Sequence, residues 1–190
     1  MIAELPETVA PQETNFAAIP YRENKALLPS DILARCYLRM VNEGLLDTVF
    51  HERPFSDMEF LKFATGADVQ FLIFADLASN EYAGFAWVTE IAKTNTMLRG
   101  WGGFAFFREF WNPFITHEYG KIALRLWFEG YKFDKIFGLT PETNRLSRAY
   151  CARMGFRYTG RIPGYTCYEG KTVDAMICSM TREEWEASGG

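Results

Sequence analysis

Thr143-Asn-Arg-Leu-Ser-Arg-Ala-Tyr-Cys-Ala-Arg-Met-Gly-Phe156 is the stretch from which the rest of the chain is read. Asn144 carries a side-chain oxygen suited to accept a free N–H of a first helical turn. Leu146, Ala149, Tyr150, Arg153 (through its aliphatic stem) and Met154 follow at i, i+3, i+4 spacing, which predicts a helix packed on one face. Gly155 supplies a left-handed stop. Upstream, the apolar segment Ile136-Phe-Gly-Leu139 runs into this helix through Pro141. The local order is strand, turn, capped helix, glycine, aromatic.

The chain has 190 residues, 48% of them hydrophobic, which suits one domain with a sizeable core and excludes a mainly disordered protein. Its 17 Phe, 9 Tyr and 5 Trp supply apolar area for that core and could also line a cleft. A net charge of -4 without a basic stripe argues against nucleic acid as a partner and is compatible with a cationic or amine-bearing one. Cys36, Cys151, Cys167 and Cys178 form no C-x-x-C pair, so buried free thiols in a reducing compartment are expected. His51 and His117 are too few and too isolated for a metal site. The first twenty residues are acidic and Pro-containing, with no cationic start or apolar run, and no stretch approaches the length of a membrane span. The expectation is a soluble cytoplasmic protein with no membrane partner.

Residues 1–14 carry two prolines and little periodicity and read as a loose N-terminal arm, leaving 15–190 as a single domain. Asn15 to Arg22 is a candidate first strand. Ser30-Asp31 opens a helix with Ile32, Leu33, Cys36, Tyr37, Met40 and Val41 at helical spacing, closed by Gly44. Ser56-Asp-Met-Glu59 spells a capping box ahead of Phe60, Leu61 and Phe63. Val69 to Ala75 and Tyr82 to Ile91 flank a turn and predict an antiparallel hairpin, and Met97 to Phe107 a third strand. Gly100, Gly102 and Gly103 inside that third strand mark either a flexible loop or a bulge where another chain or ligand comes close. Asn112-Pro113 starts a long helix with Ile115, Tyr119, Ile122, Ala123, Leu126 and Trp127 on one face, ending near Gly130. From 97 to 155 the order is strand, helix, strand, helix, which forces a parallel crossover. Arg157 to Ile162 and Thr172 to Met180 close the sheet around a Gly-rich turn, Tyr165 to Lys171. The fold class is α+β: a mixed sheet, antiparallel at its N-terminal side, with a parallel strand pair in the middle and helices flanking it.

The pair Asn144-x-x-Ser147, followed eight residues after the serine by Gly155-Phe156, resembles a signature of the GNAT superfamily of acyl-coenzyme A-dependent N-acyltransferases. The element order is similar to that fold from about residue 15 to 185. The spelling is nearest to the branch of ribosomal-protein N-terminal acetyltransferases: Phe128 resembles the aromatic closing the long helix, and Glu169-Gly-Lys-Thr-Val-Asp174 through Arg182-Glu-Glu-Trp185 the tail. The resemblance implies acetyl transfer from acetyl-CoA, as cosubstrate, to a small-molecule amine or peptide N-terminus, and leaves room for a homodimer. It implies a pantetheine arm between the parallel strands ending near Phe107 and Leu139. The pyrophosphate would sit on backbone N–H groups at the start of the following helix, with Asn144 and Arg148 as further contacts.

The pyrophosphate loop of the family reads Gln/Arg-x-x-Gly-x-Gly/Ala, and here Asn112 and Phe114 stand where the glycines are expected, with Pro113 removing an N–H. Substitutes are the Asn112 side chain, the N–H groups of Ile115 and Thr116, and Arg108. Ser147 is the candidate acid for the leaving thiolate; its competing role is a hydroxyl bonded back to its own helix. Many members carry a tyrosine acid seven residues after the asparagine, where this chain has Cys151; Tyr150 is displaced by one residue, about 100° of helix, toward a core role. Cys151 is either a proton donor or an inert buried thiol. For the base, Glu90 is the first carboxylate, with Glu109 and Glu118 behind it; a surface glutamate is the blander reading of Glu90, and a bound water is another route for the proton. The alternative to an enzyme is a GNAT-fold protein that has lost cofactor binding and serves as a binding or structural module.

Overall fold

The computed structural model describes residues 15–50 and 56–190. The expected arm at residues 1–14, and His51, lie outside the described residues. The chain runs β1 (Phe16–Pro20), α1 (Ile32–Asn42), α2 (Leu46–Val49), α3 (Asp57–Thr65), β2 (Gln70–Asp76), β3 (Glu81–Lys93) and β4 (Leu98–Phe106). A 3-10 turn, Arg108–Phe110, leads to α4 (Pro113–Arg125), which ends in a π turn at Leu126–Gly130. Then come β5 (Lys135–Pro141), α5 (Arg145–Arg153), β6 (Arg157–Tyr168), β7 (Lys171–Thr181) and α6 (Arg182–Ala187). No helix among the described residues is long and apolar enough to cross a membrane.

The strands form one sheet in the order β1-β2-β3-β4-β5-β7-β6. Every neighbouring pair is antiparallel except β4 with β5, the expected parallel pair. Alternation along the strands sends side chains to two helical layers. Phe71 and Phe85 face Phe60 of α3, at 5.9 and 5.5 Å between ring centroids. Phe74 and Phe106 face Tyr119 of α4, at 4.9 and 6.2 Å. Phe60, Phe74 and Phe85 are fully buried, each contributing roughly 1.5–3 kcal/mol of hydrophobic stabilisation.

The helix ends follow the sequence. Ser56 and Glu59 form the capping box of α3. Asn112 caps α4 with Pro113 in its first turn, Asn144 caps α5, and Gly155 takes φ +88 where the chain leaves α5. Three expectations need correction. Val41, Leu146 and Ala149 were assigned to apolar faces but are exposed, Val41 and Leu146 by 46% and 69%: Val41 rotates about 100° past the buried Met40, and Leu146 and Ala149 lie on the outward side of α5. The Tyr165 to Lys171 segment is mostly strand, and only Glu169-Gly170 turns, because bulges near Tyr158/Gly160 and Ile162/Thr166 let β6 stay paired with β7. The β4 glycines admit neighbouring side chains: a methyl on Gly103 would meet the Trp87 indole at 2.2 Å, and one on Gly102 would meet Ile136 at 2.9 Å.

Helices α4 and α5 meet at Gly120, where an added Cβ would lie 2.3 Å from the Tyr150 hydroxyl and 2.7 Å from Met154 Sδ. Overpacking there costs about 1–3 kcal/mol, against a helix-propensity gain of roughly 1 kcal/mol for alanine over glycine. Gly120→Ala is therefore expected to lose about 1 kcal/mol in urea denaturation, and an unchanged or raised midpoint would contradict this close contact.

Candidate active site

Strands β4 and β5 pair over three positions only, Arg99 with Lys135, Gly100 with Ile136 and Trp101 with Phe137. Beyond them β4 continues on β3 as far as Phe106, and β5 continues on β7 as far as Pro141. Each strand keeps one partner and turns its other edge toward an opening. Ladder groups on such an edge are ready to bond an extended ligand that carries amides. The opening is part of a cavity of about 1270 Å³ that reaches both faces of the sheet. That is larger than the roughly 300–1000 Å³ typical of one small-ligand pocket and leaves room for two substrates.

Helix α5 starts on the β5 side of the opening. Asn144 Oδ1 accepts the Ser147 N–H at 3.0 Å, which satisfies a donor of the first turn. The other end of that amide, Nδ2, has no hydrogen-bond partner among the described residues, although Asn144 is only 3% exposed and lines the cavity. A buried, unpaired donor is costly, and this one is shielded within the wall, so an acceptor in the opening meets it only once the Asn144 side chain turns toward the cavity. Ser147 is partly buried and also lines the cavity.

Two further proton donors, Tyr150 and Cys151, neighbour Ser147 on α5. Tyr150 packs against Phe104 and Phe106, and its hydroxyl donates to the Thr116 carbonyl at 3.3 Å. Burial keeps its phenol protonated well above the ordinary range. Cys178 donates to the Gly138 carbonyl at 3.6 Å, and its position beside Cys151 lowers the Cys151 thiol from its ordinary value. The neighbouring Cys151, together with burial, raises the Cys178 thiol.

The start of α4 is closed by its own residues. Asn112 Oδ1 accepts the N–H groups of Phe114 at 2.9 Å and Ile115 at 3.4 Å, and the Thr116 N–H bonds the Asn112 carbonyl at 2.9 Å. Just upstream the Arg108 N–H donates to the Glu43 carboxylate at 2.6 Å, and Arg108 Nε to the Glu43 carbonyl at 2.8 Å. Arg39 bridges Glu43 and Glu109 and stacks over the Phe107 ring at 4.3 Å.

Glu90 sits at a bulge of β3, where the register with β4 shifts between Thr89 and Ala92, and has φ +49. A bulge re-aims a side chain off the regular alternation, and Glu90 is an exposed carboxylate on the cavity wall. Phe50, Phe63, Trp87 and Trp101 form an aromatic part of the wall, with Phe50 and Trp87 stacked at 5.3 Å. Glu59 also lines it, but its carboxylate accepts the Ser56 N–H at 2.8 Å as part of the α3 cap.

Of the residues expected from sequence, Ser147, Glu90, Tyr150, Cys151, Arg108, Asn112, Thr116, Leu139 and Asn144 come together on this cavity. Phe107, Ile115 and Arg148 do not line it. Phe107 is buried in the core, Ile115 packs against the core, and Arg148 donates to the Glu142 carbonyl at 3.1 Å while lying 5.7 Å from the Tyr158 ring. Trp87, Trp101 and Thr140 on the wall were not singled out from sequence. The alternation of β3 and β5 carried a faint signal for Trp87 and Thr140. Among the described residues no group of three or more His, Cys, Asp or Glu is placed to hold a metal ion.

No protein-family model and no curated protein matches the sequence. Solved structures do match in shape. The ribosomal-protein-S5-alanine acetyltransferase from Vibrio fischeri aligns with a TM-score of 0.70 and 14% identity over 94% of this chain and 99% of its own. The spermidine N-acetyltransferase from Vibrio cholerae, in complex with CoA and spermine, aligns at 0.73 and 15% identity over 90% and 98%. RimJ from Mycobacterium smegmatis, in complex with CoA-disulfide, aligns at 0.66 and 15% identity over 84% and 85%. At such identities the likeness is one of fold, and this chain has the GNAT fold.

Proposed function

We propose that the protein is an N-acyltransferase that moves an acetyl group from acetyl-CoA to a primary amine of a small molecule or peptide N-terminus by direct attack. The observation that carries this reading is the parting of β4 and β5 beside the unpaired Asn144 amide, with Ser147 and Glu90 lining the same cavity. The solved neighbours named for acetylating spermidine and a ribosomal-protein alanine support an amine acceptor.

Acetyl-CoA fits the site in part. The opening between Gly102–Phe106 and Gly138–Pro141 suits the pantetheine arm, whose amides find strand edges, and Asn144 Nδ2 suits one of its carbonyls. The start of α4 does not suit a diphosphate, because its N–H groups are already bonded.

An ammonium ion has no lone pair, so the acceptor must first lose a proton. Glu90 takes it, directly or through a water. The amine nitrogen attacks the thioester carbonyl carbon, the C–N bond forms and the C–S bond breaks. Ser147 gives its hydroxyl proton to the leaving sulfur and regains one from the attacking nitrogen, which must shed its second proton to become the amide. Ser147 is favoured over Tyr150 because the buried phenol already directs its hydroxyl at the Thr116 carbonyl. The aromatic wall and Glu90 together favour an amine with an apolar body.

The closed start of α4 favours a second reading, a GNAT-fold module without a donor. Calorimetric titration with acetyl-CoA separates the two: binding below millimolar is expected, and its absence up to millimolar concentration would overturn the enzyme. Ser147→Ala is expected to lower kcat by roughly 10²-fold, with KM for the thioester changing less than about threefold; unchanged kcat would remove Ser147 from the mechanism. Asn144→Ser keeps a capping oxygen but lacks the amide donor. Its stability should stay within about 1 kcal/mol of the parent while affinity for the thioester falls about tenfold, and unaltered affinity would reduce Asn144 to a cap.

A further inference from the structure

We infer that this site grips its acyl donor by the pantetheine arm and thioester alone, so that thioesters of pantetheine serve as well as acetyl-CoA. The inference rests on the N-acyltransferase reading. It starts from an account of the backbone donors that precede and open α4, the place where a diphosphate would need them. The Trp111 N–H bonds the Arg108 carbonyl at 3.1 Å, and the Asn112 N–H bonds the Phe110 carbonyl at 2.7 Å. Pro113 has no N–H. The Phe114 and Ile115 N–H groups bond Asn112 Oδ1, and the Thr116 N–H bonds the Asn112 carbonyl. From 111 to 116 every backbone donor is committed within the chain.

The charged side chains there are also engaged. The Glu43 carboxylate holds the Arg108 N–H, and Glu109 stands next to it, so two carboxylates flank the approach. Arg39 is shared between them, and Arg108 is bonded to the Glu43 carbonyl and lies 5.0 Å from the Trp111 ring. Arg153 donates to the Pro113 carbonyl at 3.4 Å, so the charge there is mixed, and a diphosphate would have to displace these existing partners, which offsets what it gains.

The surface there is also apolar. Phe114 in the first turn of α4 is 83% exposed, Trp111 is 44% exposed, and Leu146 stands out from the first turn of α5. These side chains offer an anion no hydrogen bond. By contrast, the opening between β4 and β5 retains strand edges and the unpaired Asn144 amide. Recognition is concentrated on the arm.

Titration calorimetry with acetyl-CoA and with S-acetyl-pantetheine, on the unaltered protein, tests this. Dissociation constants within about threefold of each other are expected, since only the shared arm is held. Two charged hydrogen bonds to a diphosphate would separate the ligands by roughly a hundredfold, and a preference of tenfold or more for acetyl-CoA would overturn the inference while leaving the acyltransferase reading intact. Binding of neither ligand would overturn both. Asn112→Gly, which frees the Phe114 and Ile115 N–H groups, should tighten acetyl-CoA about fivefold or more and leave S-acetyl-pantetheine unchanged. An equal effect on both ligands, or none on acetyl-CoA, would contradict the assignment of Asn112 as the group that fills the seat.

Discussion

The parting of β4 from β5 after three paired residues is the constraint on which the site depends. A sheet interior that stops pairing exposes backbone donors and acceptors, and exposed ladder groups are costly unless water or a ligand meets them. The neighbours on either side keep the two strands apart. β3 holds β4 to Phe106 and β7 holds β5 to Pro141, so neither can swing across to close the opening. The packing behind each strand fixes the angle: Tyr119 and Tyr150 wedge under the end of β4, and Cys178 is bonded to Gly138 on β5. The same contacts that form the core therefore hold the cleft.

Two asparagine caps flank this cleft and behave differently. Asn112 spends its side-chain oxygen on two N–H groups and completes the first turn of α4. Asn144 accepts a single N–H and leaves its amide donor buried beside the cavity without a partner among the described residues. A helix start is an anion site only while its donors are free. Capping by Asn112 removes that property from α4. On the proposed reading, the arm is held in the sheet while the start of α4 holds no phosphate.

Much of the fold was legible because its signals are local. Ser56 with Glu59, Asn112 with Pro113, Asn144 and Gly155 each act within one turn, and each forms the cap or stop that its spelling implies. The parallel pair followed from the order of elements alone. The exposed faces of Val41 and Leu146 were not legible, because their fate depends on which neighbour reaches the helix, and none of the described residues covers them. Thr181 and Glu184 also form a capping box, a local signal that sequence reading passed over. In the site, the altered glycine pattern pointed to a changed phosphate loop. Its physical form, an asparagine bonded to the donors and a glutamate from beyond α1 at Arg108, required the contact between Glu43 and Arg108 across the fold. The placement of Glu90 depended on the β3–β4 register, which no spacing in the sequence specifies.

Amide spectra of isotope-labelled protein during titration with acetyl-CoA address the central claim most directly, because they report where along the chain the ligand is felt. The account predicts shifts in the backbone amides of Gly102–Phe106 and Gly138–Thr140 and in the Asn144 side-chain amide, with Phe114 and Ile115 unmoved. Largest shifts at Phe114 and Ile115, with the β4 and β5 amides unmoved, would contradict it.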